Sequence, residues 1–165
     1  MAPDRLNGET PQRRDCTPVS PQDQDGLSTD YLNHYSEIIM LIEMASFDDA
    51  LVTELSGWQP IGYREYFLRS PLRRAGSALA AYDALPQEER SAFGQIMAAL
   101  DTLACGAILA LQRPYQTQNV VLVGEVIGPA MHRLMDRAAA FLSSGGCVIR
   151  DAGDAPQVMA DRAMA

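Results

Sequence analysis

PQEERSAFGQIMAALDTLACGAILAL, residues 86–111, decides the fold of this chain. Phe93, Ile96, Met97, Leu100, Leu103, Ala104, Ala107 and Leu111 recur at steps of three and four, the spacing that puts side chains on one face of an α-helix. Pro86 opens the helix, and Glu88 and Glu89 occupy the first turn, where the helix dipole favours negative charge. Arg113-Pro114 ends it. A long helix with one apolar face needs other helices or a sheet to cover that face.

The flanking sequence supplies helices. Upstream, Ser70-Pro71 is a start signal for a helix running to about Leu85, and Tyr63 to Arg69 has room for two turns after the Trp58, Pro60 and Gly62 turn. Ser46 and Asp49 form a capping box for a short helix over about 47–56, with Gly57 at its stop. Before it, Ser28 or Thr29 caps a helix striped by Tyr31, Leu32, Tyr35, Ile38, Ile39 and Ile42. Downstream, VVLV has the β-branched content of a strand. Val123, Ile127, Ala130, Met131, Leu134, Ala138 and Phe141 nevertheless continue at helical spacing, which predicts one helix over 117–143 bent near Pro129. The expectation is an all-α fold: a single-domain helical bundle of three long and two or three short helices over residues 28–145. Residues 1–27, with four prolines among polar residues, read as a disordered arm, and 146–165 as a flexible tail.

Composition removes many functional classes. All thirteen basic residues are Arg and the chain has no Lys, so Schiff-base chemistry, a phosphate-loop lysine and a lysine general base are unavailable to it. His34 and His132 are its only histidines, and neither a GxSxG elbow nor a GxGxxG turn occurs. No enzyme activity and no cofactor are expected. A net charge of -8 disfavours broad binding to nucleic acid or anionic membrane. The longest apolar run, AALDTLACGAILAL, is interrupted by Asp101 and Thr102, short of the roughly 18 residues of a bilayer span. With no secretory apolar core at the N-terminus, the expected location is the cytoplasm. Cys16, Cys105 and Cys147 are far apart in sequence and read as free thiols.

Four groups of residues are candidates for a site. Asp30, His34 and Glu37 share one strip of the first helix and could offer a divalent metal two or three ligands, although di-iron bundles use repeated Glu-x-x-His pairs that are absent here. His34 or His132 could take a phosphoryl group, but Asp30 and Glu37 would repel it at His34, and His132 has only Arg133 and Arg137 beside it. Met40 and Met44, with Glu37, lie opposite the Tyr31-Tyr35-Ile38-Ile42 stripe. A helix apolar on both faces is central in its bundle or covered by another molecule, and methionine adapts to either.

The last group is GYREYFLRSPLRR, residues 62–74. It interleaves aromatics with Arg64, Arg69, Arg73 and Arg74, as single-strand nucleic-acid surfaces do. The acidic segment just before it competes for those guanidinium groups, which predicts intramolecular pairing with Glu43, Asp48, Asp49 or Glu54 while the aromatics pack inward. The functional expectation is a non-catalytic cytoplasmic protein-interaction module of regulatory or adaptor type, whose partner is another protein or a second copy in a homodimer. A bundle binding a metal or small ligand through Asp30, His34 and Glu37 is the alternative.

Overall fold

A computed structural model describes residues 26–45, 48, 50–113 and 117–147. Ser28 accepts the Asp30 amide on its side-chain oxygen and so caps a 3₁₀ turn, Thr29–Leu32, which leads into α1, Asn33–Ala45. Then follow α2 (Ala50–Leu55), α3 (Tyr63–Arg69), α4 (Ala75–Asp83) and α5 (Gln87–Leu111). The chain closes with α6 (Thr117–Leu122), a π-helical turn (Val123–Ile127) and α7 (Gly128–Ser143). The fold is an all-α helical bundle, with no strand among the described residues.

α5 is the central element, packing along α7 and α1, which also touch each other. Its Phe93, Met97, Leu100, Ala104, Ala107 and Ile108 are buried, so the expected stripe is the core face. Tyr31, Leu32, Tyr35, Ile38, Ile39 and Ile42 meet it from the other side, all buried as the spacing predicts. By length and composition α5 is also long and apolar enough to cross a membrane. That corrects the expectation that Asp101 and Thr102 break the run too early: two polar residues do not offset the apolar side chains around them.

VVLV is helical, not a strand. Pro129 lies at the start of α7 and lacks the N–H that would bond Glu125, so the ladder widens just before it. The Gly128 amide reaches back five residues to the Val123 carbonyl, and the helix continues without a break in the chain's course. The defect the proline imposes is thus a π turn that ends two residues before it.

Three boundaries move. The Ser70 hydroxyl accepts the Leu72 amide, as a cap would, but only a turn follows, and α4 begins at Ala75 instead of Pro71. Asp48 accepts the Ala50 amide and starts α2 there, while Ser46 and Asp49 of the expected capping box lie outside the described residues. At the C-terminus, Gly146 belongs to the fold and not to the tail: its amide bonds the Phe141 carbonyl, and the Gly145 amide bonds that of Leu142. This double bond pattern, with φ of 70° at Gly145 and 95° at Gly146, is a Schellman cap that glycine alone adopts without strain. The rest of the expected arm and tail lies outside the described residues.

Cysteine usage also differs from the expectation of three free thiols. Cys105 is free, but Cys147 is disulfide-bonded. The remaining cysteine, Cys16, lies outside the described residues.

Candidate interaction groove

α1 and α7 lie side by side and leave an open groove of about 440 Å³ between them. Its lining is mixed: Leu32, Ile39 and Met40 of the α1 side with Met135 and Ala139 of α7 are apolar, and Thr29, Asn33 and Ser36 lie among them. That volume falls within the range of roughly 300–1,000 Å³ in which proteins receive ligands or partner side chains. The rim carries Glu43, His132 and Asp136. Glu43 and His132 close one end, with His132 Nε2 2.7 Å from Glu43 Oε1. A Cβ at the buried Gly128 would press on the Val123 carbonyl oxygen at 3.3 Å and only touch Glu43 Oε1, at an ordinary 3.7 Å.

Beside the groove runs the outer stripe of α1. Met40 is 52% exposed and Met44 49% exposed, so the short helices after Ser46 do not cover them. Glu37, the third residue expected at this surface, is also exposed. The structure therefore brings Met40 into the groove itself and leaves Met44 and Glu37 on the adjoining surface. Periodicity could not find Met135, Asp136 and His132, because nothing in the sequence tells which face of α7 flanks α1.

The Asp30, His34 and Glu37 strip is drawn in other directions. His34 Nε2 lies 3.0 Å from the Gln59 carbonyl oxygen, and its ring stacks on Trp58 at 5.2 Å. Asp30 accepts the Ser28 hydroxyl at 3.0 Å. Among the described residues no group of three or more His, Cys, Asp or Glu side chains is placed to hold a metal ion. At His132 the Glu43 carboxylate holds Nε2, and its negative charge opposes an incoming phosphoryl group.

α1 also anchors a buried hydroxyl network. The Tyr35 hydroxyl donates to Asp101 Oδ1 at 2.8 Å and lies 3.2 Å from the Tyr31 hydroxyl, while Tyr31 donates to the Ile61 carbonyl at 2.8 Å. Tyr31 stands edge-on to Tyr35, Tyr63 and Tyr66. Burial raises the Tyr31 and Tyr35 hydroxyls well above the ordinary phenol range and pushes Tyr63 up to about 12. Burial likewise raises the Asp101 carboxyl, while the Tyr35 hydroxyl and nearby His34 pull it back down. Burial and bonds within the group account for these shifts, which is the behaviour of a structural network.

Around GYREYFLRSPLRR the aromatics do pack inward: Tyr63 and Phe67 are buried and Tyr66 half-buried. Among the described residues the expected pairing with Glu43, Asp48 or Glu54 does not form, and Asp49 lies outside them. Arg64 pairs with Asp83 at 3.4 Å and Arg69 with Glu65 one turn earlier, while Glu43 goes to His132. α3 packs on α4, which carries Arg64 to the end of α4 and away from the acidic helices. Among the described residues Arg73, Arg74, Glu37 and Asp136 have no ion-pair partner. No family model, no curated protein and no solved structure matches the chain.

Proposed function

We propose that this chain is a non-catalytic helical protein-interaction module, of regulatory or adaptor type, that self-associates through the α1–α7 face. The observation that carries the reading is the half-exposed Met40 and Met44 pair at and beside the α1–α7 groove. A helix that buries one complete apolar stripe has no need of a second for its own stability. Methionine is flexible and polarizable, so it fits against surfaces of varied shape, and a contiguous apolar patch on a folded chain marks a contact site.

Replacing Met40 and Met44 with Glu tests this. Both side chains are exposed, so the double variant should keep its helical circular dichroism and its melting transition. Charge placed in a desolvated contact should abolish self-association. Light scattering at micromolar concentration should therefore give a larger mass for wild type than for the variant. A wild type that is already monomeric, with a mass the substitutions leave unchanged, refutes the proposal of self-association.

A further inference from the structure

We infer that the α1–α7 groove receives the Leu68–Arg74 corner of a second copy of this chain, an inference that rests on the self-association just proposed. The corner runs from the end of α3 to the start of α4. Leu68 is 68% exposed and Leu72 is 42% exposed, and exposed Arg69, Arg73 and Arg74 surround them. Apolar side chains ringed by guanidinium groups need an apolar recess bordered by carboxylates. The groove offers both, with Met40, Met135 and Ala139 lining it among the polar Thr29, Asn33 and Ser36, the Asp136 carboxylate beside them, and Glu43 held by His132 at 2.7 Å.

Charge complementarity selects a second copy as the occupant. The chain carries -8 overall, so two copies repel unless a cationic patch of one meets an acidic patch of the other. Four of the thirteen Arg fall within residues 64–74, and two of them, Arg73 and Arg74, have no carboxylate partner among the described residues. Asp136 and Glu37, on the groove side, are likewise without an ion pair there. Arg binds carboxylates through two parallel N–H donors, which fixes orientation as well as attraction. Groove and corner are different patches, so a two-fold dimer makes the contact twice, and an arrangement that does not close grows into chains.

The test uses sedimentation velocity on the full chain with exposed charge reversals: Asp136→Arg on the groove, and Arg73→Glu with Arg74→Glu on the corner. Each variant alone should self-associate at least tenfold more weakly than wild type. An equimolar mixture of the two should recover association, because it offers one native contact and one with both charges inverted. Recovery also shows that both variants are folded. If the corner variant associates as wild type does while Met40→Glu/Met44→Glu is monomeric, the inference falls and the proposed interaction face stands, with the α1 stripe meeting some other surface of the second copy. A monomeric wild type overturns the inference together with the self-association beneath it. Binding of a monomeric wild type to phosphatidylserine vesicles, lost on Arg73→Glu/Arg74→Glu, also overturns it by giving the corner to a lipid surface.

Discussion

Tyr35→Phe removes one oxygen from the centre of the hydroxyl network and leaves the ring in place. The oxygen donates to Asp101 Oδ1 at 2.8 Å and contacts the Tyr31 hydroxyl at 3.2 Å. Tyr31 keeps its own bond to the Ile61 carbonyl, so the main loss is the bond to Asp101. A hydrogen bond to a charged group contributes about 1.5–3 kcal/mol. Asp101 is only half-buried, and water can replace part of that bond, which favours a cost of about 2 kcal/mol. The pH dependence separates this cause from lost packing. Burial holds the Asp101 carboxyl above its ordinary value, and the Tyr35 donor lowers it. A carboxyl raised on folding contributes stability that is present below its unfolded value and is lost as pH rises through the folded one. Removing the donor raises the carboxyl further, so the penalty of Tyr35→Phe should be largest at neutral pH and smaller near pH 3, where the group is protonated in both proteins. Urea unfolding of both proteins at the two pH values measures the difference. A cost below about 0.5 kcal/mol at neutral pH, or one that is the same at both, refutes the charge-assisted bond as its source.

Leu100 is fully buried at the middle of α5, and Leu100→Ala should destabilise by about 2–5 kcal/mol in the same urea assay, the sum of lost transfer free energy and the cavity left behind. Gly146→Ala places a Cβ at a φ of 95° and against the Leu85 side chain, so it should cost about 1–3 kcal/mol, with calorimetry recording the lowered melting temperature. Tyr31, Tyr35 and Tyr63 are all raised by burial, Tyr63 to about 12. Their contribution to stability is complete below the ordinary phenol value of about 10 and is lost as pH rises above it. Helical circular dichroism should therefore collapse together with the ionisation of these three of the six tyrosines, and titration of all six near pH 10 with the helices intact would contradict their burial.

What the sequence made legible is what short-range pattern controls. The i, i+3, i+4 recurrence of Phe93, Met97, Leu100, Ala104 and Ala107 needs no knowledge of the neighbours to assign a buried face, and the same holds for Tyr31 to Ile42. The π turn before Pro129 was half legible: the missing donor announces a defect, but whether the ladder kinks or widens depends on what packs around it. The Tyr35 to Asp101 bond spans 66 residues, and no periodicity in either helix encodes that distance. The groove has the same origin, since its lining joins Met40 to Met135 across two helices whose relative rotation is set by the whole core.

Charge was the least legible feature, and its failure is the most instructive. An acidic stretch followed by an arginine-rich one suggests neutralisation along the chain, because nearby charges pay little entropy to meet. Helices are rigid, however, and α3 docks on α4, so Arg64 meets Asp83 and Arg69 meets Glu65. Once those pairs form, the directions of the remaining side chains are fixed by the bundle. Arg73 and Arg74 then face outward beside exposed Leu68 and Leu72, while Met40, Glu37 and Asp136 face outward at the α1–α7 side. Exposed charges this far from a partner gain almost nothing for folding. Apolar side chains left half-exposed among them gain nothing either, until a surface of opposite sign and matching shape removes both from water.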